Sequence, residues 1–201
     1  MTTITDDAFV RLFQERAGLD IDGWPGRDVL AKLDELMPPK RQPAPVGSSN
    51  AIPESYWPML SKMESGDRPY IKAGTSSASG LYQFIRSTWI GEGGRWGNDM
   101  SKAFGGLMPS VEEQRRRAQS FTQKNADYLA KRGVNVNRAS LYAAHFLGVV
   151  TACQVMAADV KAGAEKVAGE AATRANPSIL KGKTVGEFYS WLHKKTGDWV
   201  R

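Results

Sequence analysis

Glu64 stands four residues after Leu60 and eight after Tyr56, so on a helix it shares a face with two core-type side chains. A carboxyl on an apolar helix face is desolvated, which disfavours its charged form and raises its pKa. A raised pKa suits a general acid that must protonate a glycosidic oxygen near neutral pH. A glutamate near a helix end is by itself most often a solvated one, so the surrounding residues matter. Glu64-Ser65-Gly66 is followed by Gly74-Thr75-Ser76-Ser77-Ala78-Ser79-Gly80-Leu81-Tyr82-Gln83-Phe84, and later by Leu141-Tyr142-Ala143-Ala144-His145-Phe146-Leu147-Gly148. Residues 68–91 contain no Asp or Glu, so Asp67 is the only acid close in sequence, and its position suits a turn cap.

Helices must position these groups. Ser55 can cap a helix carrying Tyr56, Leu60 and Glu64, with Pro58 tolerated in its first turn. Ser110 and Glu113 have capping-box spacing for a helix running to Gly133, and Thr184 and Glu187 repeat that spacing before Phe188, Trp191 and Leu192. Residues 139–161 are apolar enough to form one buried central helix. Alternating strand patterns are scarce, with at most a short hairpin between about 66 and 80. The fold class expected is mainly α. Ahead of this unit, residues 38–53 are dominated by Pro, Gly and Ser and read as a linker. Residues 1–37 read as a small module of two helices. Thr5 caps the first, which carries Phe9, Leu12 and Phe13 and ends at Gly18, while Val29, Leu33 and Leu36 stripe the second.

The chain has 201 residues and a net charge of +6. Residues 1–37 carry eight acids and four bases, a net of −4, which leaves +10 for the remainder. A basic body suits a polyanionic partner: nucleic acid, anionic lipid or cell wall. No apolar run is long enough for a membrane helix, and the first residues lack the pattern of a signal peptide. One cysteine and two histidines give no disulfide and no zinc-type spacing, so neither cofactor nor metal is expected.

The ordered trio around Glu64, Gln83 and His145 resembles the goose-type-lysozyme-like lytic transglycosylases, and more closely their forms in phage endolysins and phage tail proteins. Glu64-Ser65 matches the catalytic Glu-Ser, Gly80-Leu81-Tyr82-Gln83 the Gly-Leu-Met-Gln loop, and Ala144–Gly148 loosely the later Ala-Tyr-Asn-Ala-Gly helix. The likeness spans roughly residues 54–195. It implies a lysozyme-like catalytic domain over 54–201 that cleaves the MurNAc-β-1,4-GlcNAc bond of peptidoglycan and leaves a 1,6-anhydro end. One glutamate serves first as acid and then as base, and the substrate's N-acetyl group assists, so no second protein carboxylate is needed. Phage lysozymes that use water have a polar residue nine positions after the glutamate and a Thr six further on; here those positions are Ala73 and Ser79. The resemblance further implies that Gln83 bonds the sugar or its N-acetyl group, that Ser65, Tyr82 and Phe146 line the same wall, and that Ser76 or Ser77 supplies a loop serine. His145 stands where the family has a Tyr in contact with the glutamate, and Tyr142 is the alternative for that contact. Residues 13–26 also resemble short peptidoglycan-binding modules.

Other readings stay open. A lysozyme using water would need a second carboxylate, with Glu92 and Asp99 as candidates. A non-enzymatic basic domain would explain the charge but not the Glu-Ser and Gly-Leu-Tyr-Gln pair, so nucleic acid is not the expected partner. Trp89 and Trp96 are candidates for a saccharide groove. Arg115-Arg116-Arg117 forms a solvated face or touches anionic wall or outer-membrane polymers. A monomer is expected, reaching the periplasmic wall by holin-type release or on a virion.

Overall fold

A computed structural model describes residues 5–36 and 50–200. The chain divides into two compact units with the boundary between residues 49 and 50. Most of the linker read over 38–53 lies outside the described residues.

In the first unit, α1 (Asp6–Ala17) and α2 (Arg27–Leu36) are joined by a turn-rich segment. Thr5 accepts from the Ala8 amide, and Gly18 ends α1 in the left-handed region at φ 68°. The expected apolar stripe of α1 is not its buried face, because Phe9 and Leu12 are exposed and Gln14 is buried. Gln14 Nε2 donates to Asp22 Oδ1 (2.7 Å) and to the Trp24 carbonyl (2.9 Å), while Oε1 accepts from the Gly23 amide (2.8 Å). One amide side chain thus ties down the turn that delivers Trp24 and Val29 to the small core.

The second unit is built from α3 (Tyr56–Ser65), α4 (Arg86–Gly91), α5 (Val111–Lys131), α6 (Arg138–Leu147), α7 (Val149–Ala157), the short α8 (Ala164–Ala168), α9 (Glu170–Ala175) and α10 (Pro177–Leu180), and α11 (Val185–Thr196). The fold is mainly α. In place of the hairpin there are isolated antiparallel bridges, Lys72 to Ser79 and Ser79 to Phe84. The central helix is α6, packed by α5, α7 and α11. Ala139, Leu141, Ala143 and Ala144 are fully buried on it, and facing alanines such as Ala126 and Ala152 let the axes approach closely. The apolar run over 139–161 does not form one helix. Gly148 takes φ 79°, ψ 144°, a conformation open to glycine, and splits it into α6 and α7.

Caps follow the local sequence in most places. Thr184 and Glu187 form the full capping box, and Ser110 accepts from the Glu113 amide. Ser55 is the exception: it makes no side-chain cap, and the Tyr56 amide bonds the Pro53 carbonyl instead. The C-terminal turn is held to the start of α6 by a two-pronged Arg138–Asp198 pair (2.7 and 3.1 Å).

Candidate active site

Helix α3 delivers Glu64 in its last turn, beneath fully buried Tyr56 and Leu60. The end of that helix is fixed locally. Ser65 is buried, donates to the Ser61 carbonyl (3.0 Å) and accepts from the Arg68 amide (3.2 Å). Gly66 and Asp67 both adopt left-handed backbone, and Ser61 donates to Asp67. Asp67 therefore closes the helix. Ser65, expected on the substrate wall, is committed to the same task.

The Glu64 side chain retains 17% exposure. Burial raises its pKa, opposed first by a hydrogen bond from Tyr142 and then by the charge of Lys195. Its place near the negative end of the α3 dipole also disfavours a carboxylate. Tyr142 on α6 thus lies beside the carboxyl and favours its charged form, and burial together with Glu64 pushes its own pKa up. His145, one turn further along α6, presents Nε2 3.8 Å from Glu64 Oε1, beyond hydrogen-bond reach. Its pKa falls to about 4 because it is desolvated, against a bond to the Tyr82 carbonyl. At neutral pH the 3.8 Å approach is therefore between a carboxyl and an uncharged ring. His145 thus stands beside both Glu64 and the Gly80–Gln83 loop. The Tyr56 hydroxyl is buried without a hydrogen-bond partner, and burial pushes its pKa up, with the fields of Glu64 and Tyr142 adding.

The loop owes its shape to residues far along the chain. Gly80 has φ 80°, and a Cβ there would run into the Phe104 ring and Gln114 Oε1. Buried Gln114 on α5 accepts from the Leu81 amide (2.9 Å) and donates to the carbonyls of Pro69 and Pro109 (3.1 Å each). Ser79, fully buried, accepts from the Phe104 amide and donates to the Ser77 carbonyl. Gln83 sits at φ 47°, uncommon for a residue with a Cβ, and its Nε2 donates to the Gly80 carbonyl (2.9 Å). Strain of this kind persists where surrounding contacts over-determine it.

The remaining expected site residues separate into two groups. Phe146 stays near the acid, half-buried, with its ring 6.2 Å from that of Tyr142. The Tyr82 ring, by contrast, is buried and meets Trp57 edge-on at 6.2 Å, so it is a core side chain. The Ser76 hydroxyl accepts from Ala78 N and that of Ser77 from Arg86 N; both serve their own loop and the start of α4. Trp89 is fully buried against Phe104 and Phe84, and Trp96 meets Phe104 edge-on with its indole nitrogen buried. Trp89 is therefore core rather than groove, and Trp96 packs against it through Phe104. Arg117 bonds Glu113 and the Glu92 carbonyl and lies over Trp89, while Arg115 and Arg116 are exposed. Glu92 pairs with Lys124 and Ser120, and Asp99 with Ser101 and Lys102. Neither acid is bonded toward Glu64.

Two groups near the acid escaped the sequence reading. Trp191 on α11 is half-buried, 5.9 Å from Tyr142 and 5.0 Å from Phe146, ring to ring, and Lys195 follows one turn later. Gln114 escaped as well. A glutamine at a buried helix position was the available signal, but nothing local marks which glutamine will be buried.

Among the described residues no three His, Cys, Asp or Glu side chains gather as a metal cage, and no helix is long and apolar enough to cross a membrane. No protein-family model matches the chain, and no match is found among curated proteins.

Proposed function

We propose that the second unit is a peptidoglycan lytic transglycosylase in which Glu64 is the single acid and base. The observation that carries this reading is a glutamate largely withdrawn from water, raised in pKa by burial, with the Tyr142 phenol beside it and the His145 ring 3.8 Å away, while Asp67 and Glu92 are engaged elsewhere. Protonated Glu64 donates to the glycosidic oxygen as the C1–O bond breaks. The N-acetyl carbonyl oxygen of the same sugar bonds to C1 and spreads the positive charge. The Glu64 carboxylate, steadied by Tyr142, then takes the proton of the C6 hydroxyl. As that proton leaves, the oxygen displaces the N-acetyl oxygen from C1, which closes the 1,6-anhydro ring and leaves Glu64 protonated as it began. No water is consumed. The left-handed Gln83 offers its amide to the sugar or its N-acetyl group.

For the first unit, the likeness over residues 13–26 supports a wall-binding role. Phe9, Leu12 and Ile21 offer exposed apolar surface for it. Action on the periplasmic wall, after release from a phage-infected cell or from a virion, follows from the same reading.

Replacing Glu64 by Gln keeps the shape and removes the acid, so lysis of purified peptidoglycan should fall by at least about a thousandfold. Retained lysis would end the proposal. In the wild-type digest, mass spectrometry should find ends one water lighter than reducing ends. Dominant reducing ends would replace the transglycosylase with a hydrolytic lysozyme.

A further inference from the structure

Several cations of the second unit have an acidic partner, among them Lys62 with Asp67, Lys102 with Asp99, Lys124 with Glu92, Arg138 with Asp198 and Lys183 with Glu187. Lys195 forms no such pair within the described residues, yet it stands close enough for its charge to act on Glu64. It lies one turn after Trp191 on the same side of α11. The half-buried rings of Phe146 and Trp191 lie 5.0 Å apart and 6.2 and 5.9 Å from the Tyr142 ring, and Lys195, one turn after Trp191, is exposed. An aromatic face packs the apolar C–H face of a pyranose. A cation one helical turn beyond it is placed to meet an anionic substituent on that ring.

We infer that Trp191 and Lys195 form a subsite that reads acidic sugars: the indole packs a pyranose, and the ammonium pairs with a carboxylate that the sugar carries. The inference rests on the glycan-cleavage reading. Two sources supply the carboxylate in peptidoglycan: the free lactyl group of strands stripped of peptide, and the free carboxylates of an attached stem peptide.

The test uses the full chain on four preparations: stripped strands, peptide-bearing strands, and each of these with carboxylates blocked as amides. The wild type should prefer unblocked over blocked strands by roughly three- to fivefold in kcat/KM. The preference should lie in KM and fade at high salt. Lys195→Gln should lose the preference and Lys195→Arg keep it, and Trp191→Ala should raise KM on all four. A preference on stripped strands alone identifies the lactyl carboxylate, and one on peptide-bearing strands alone the stem; either supports the subsite. If Lys195→Gln lowers blocked and unblocked strands by the same factor, Lys195 only biases Glu64 and the subsite is overturned. Cleavage by the wild type without charge preference overturns the subsite alone. No cleavage of any preparation removes the glycan-cleavage reading and the subsite together.

Discussion

Glu64 and Gln114 are similar in size, lie on helices of the same unit and are largely withdrawn from water, yet they are treated in opposite ways. The Gln114 amide oxygen accepts one backbone N–H, and its nitrogen donates to two backbone carbonyls. Nothing about that side chain is poised to change. Glu64 has one phenol, an uncharged imidazole beyond bonding distance and a lysine acting through its field. A satisfied buried polar group fixes geometry, whereas an under-satisfied one holds a proton it can give away. The fold places the first kind at the root of the Gly80–Gln83 loop and the second at the end of α3.

The contrast can be broken most severely at Gln114. Changing it to Met keeps the volume but strands the Leu81 amide and the Pro69 and Pro109 carbonyls. A loss of about 3 kcal/mol in unfolding free energy is expected by denaturant titration. A loss below about 1 kcal/mol would mean that water replaces the amide and that the clamp is not structural.

At Glu64 the smaller change is Tyr142→Phe. It removes a donor that favours the carboxylate, so the Glu64 pKa should rise further. In the proposed reaction activity needs protonated Glu64 and declines as pH rises through that pKa, so the alkaline limb of the pH–rate profile should move to higher pH. The carboxylate formed between the two steps also loses its support, and kcat should drop roughly tenfold. An unmoved limb would exclude Tyr142 as the partner of the acid.

The smallest effect sharpens the comparison through stability. Because the folded-state pKa of Glu64 is raised, its contribution is fully present below the unfolded value of 4.5 and is lost as pH rises through the folded value. Glu64→Gln should therefore be more stable than the wild type at neutral pH, by about 1 kcal/mol, with the difference vanishing below about pH 4. Thermal melts across pH would show it. An inactive variant that was also less stable at neutral pH would contradict a desolvated carboxyl.

How much of this was legible in the sequence depends on how far apart the interacting residues lie. Thr5, Gly18, Thr184 and Glu187 end their helices as their spacing implied, because capping joins residues only a few positions apart. The pairing of Tyr56, Leu60 and Glu64 on one side of α3 is equally local, and with it came the raised pKa of the carboxyl. Only the tertiary structure brought both Tyr142 and His145 to Glu64, with His145 Nε2 3.8 Å from the carboxyl. That meeting of α3 and α6 spans at least 78 residues of chain. The same holds for Trp89, a candidate groove aromatic that is core, and for Ser65, expected on a wall and committed to a helix clasp. Helical period and capping chemistry are properties of short segments and so are written in the sequence. Which polar group ends up satisfied, and which is left with a labile proton, depends on contacts between helices that are distant in the chain.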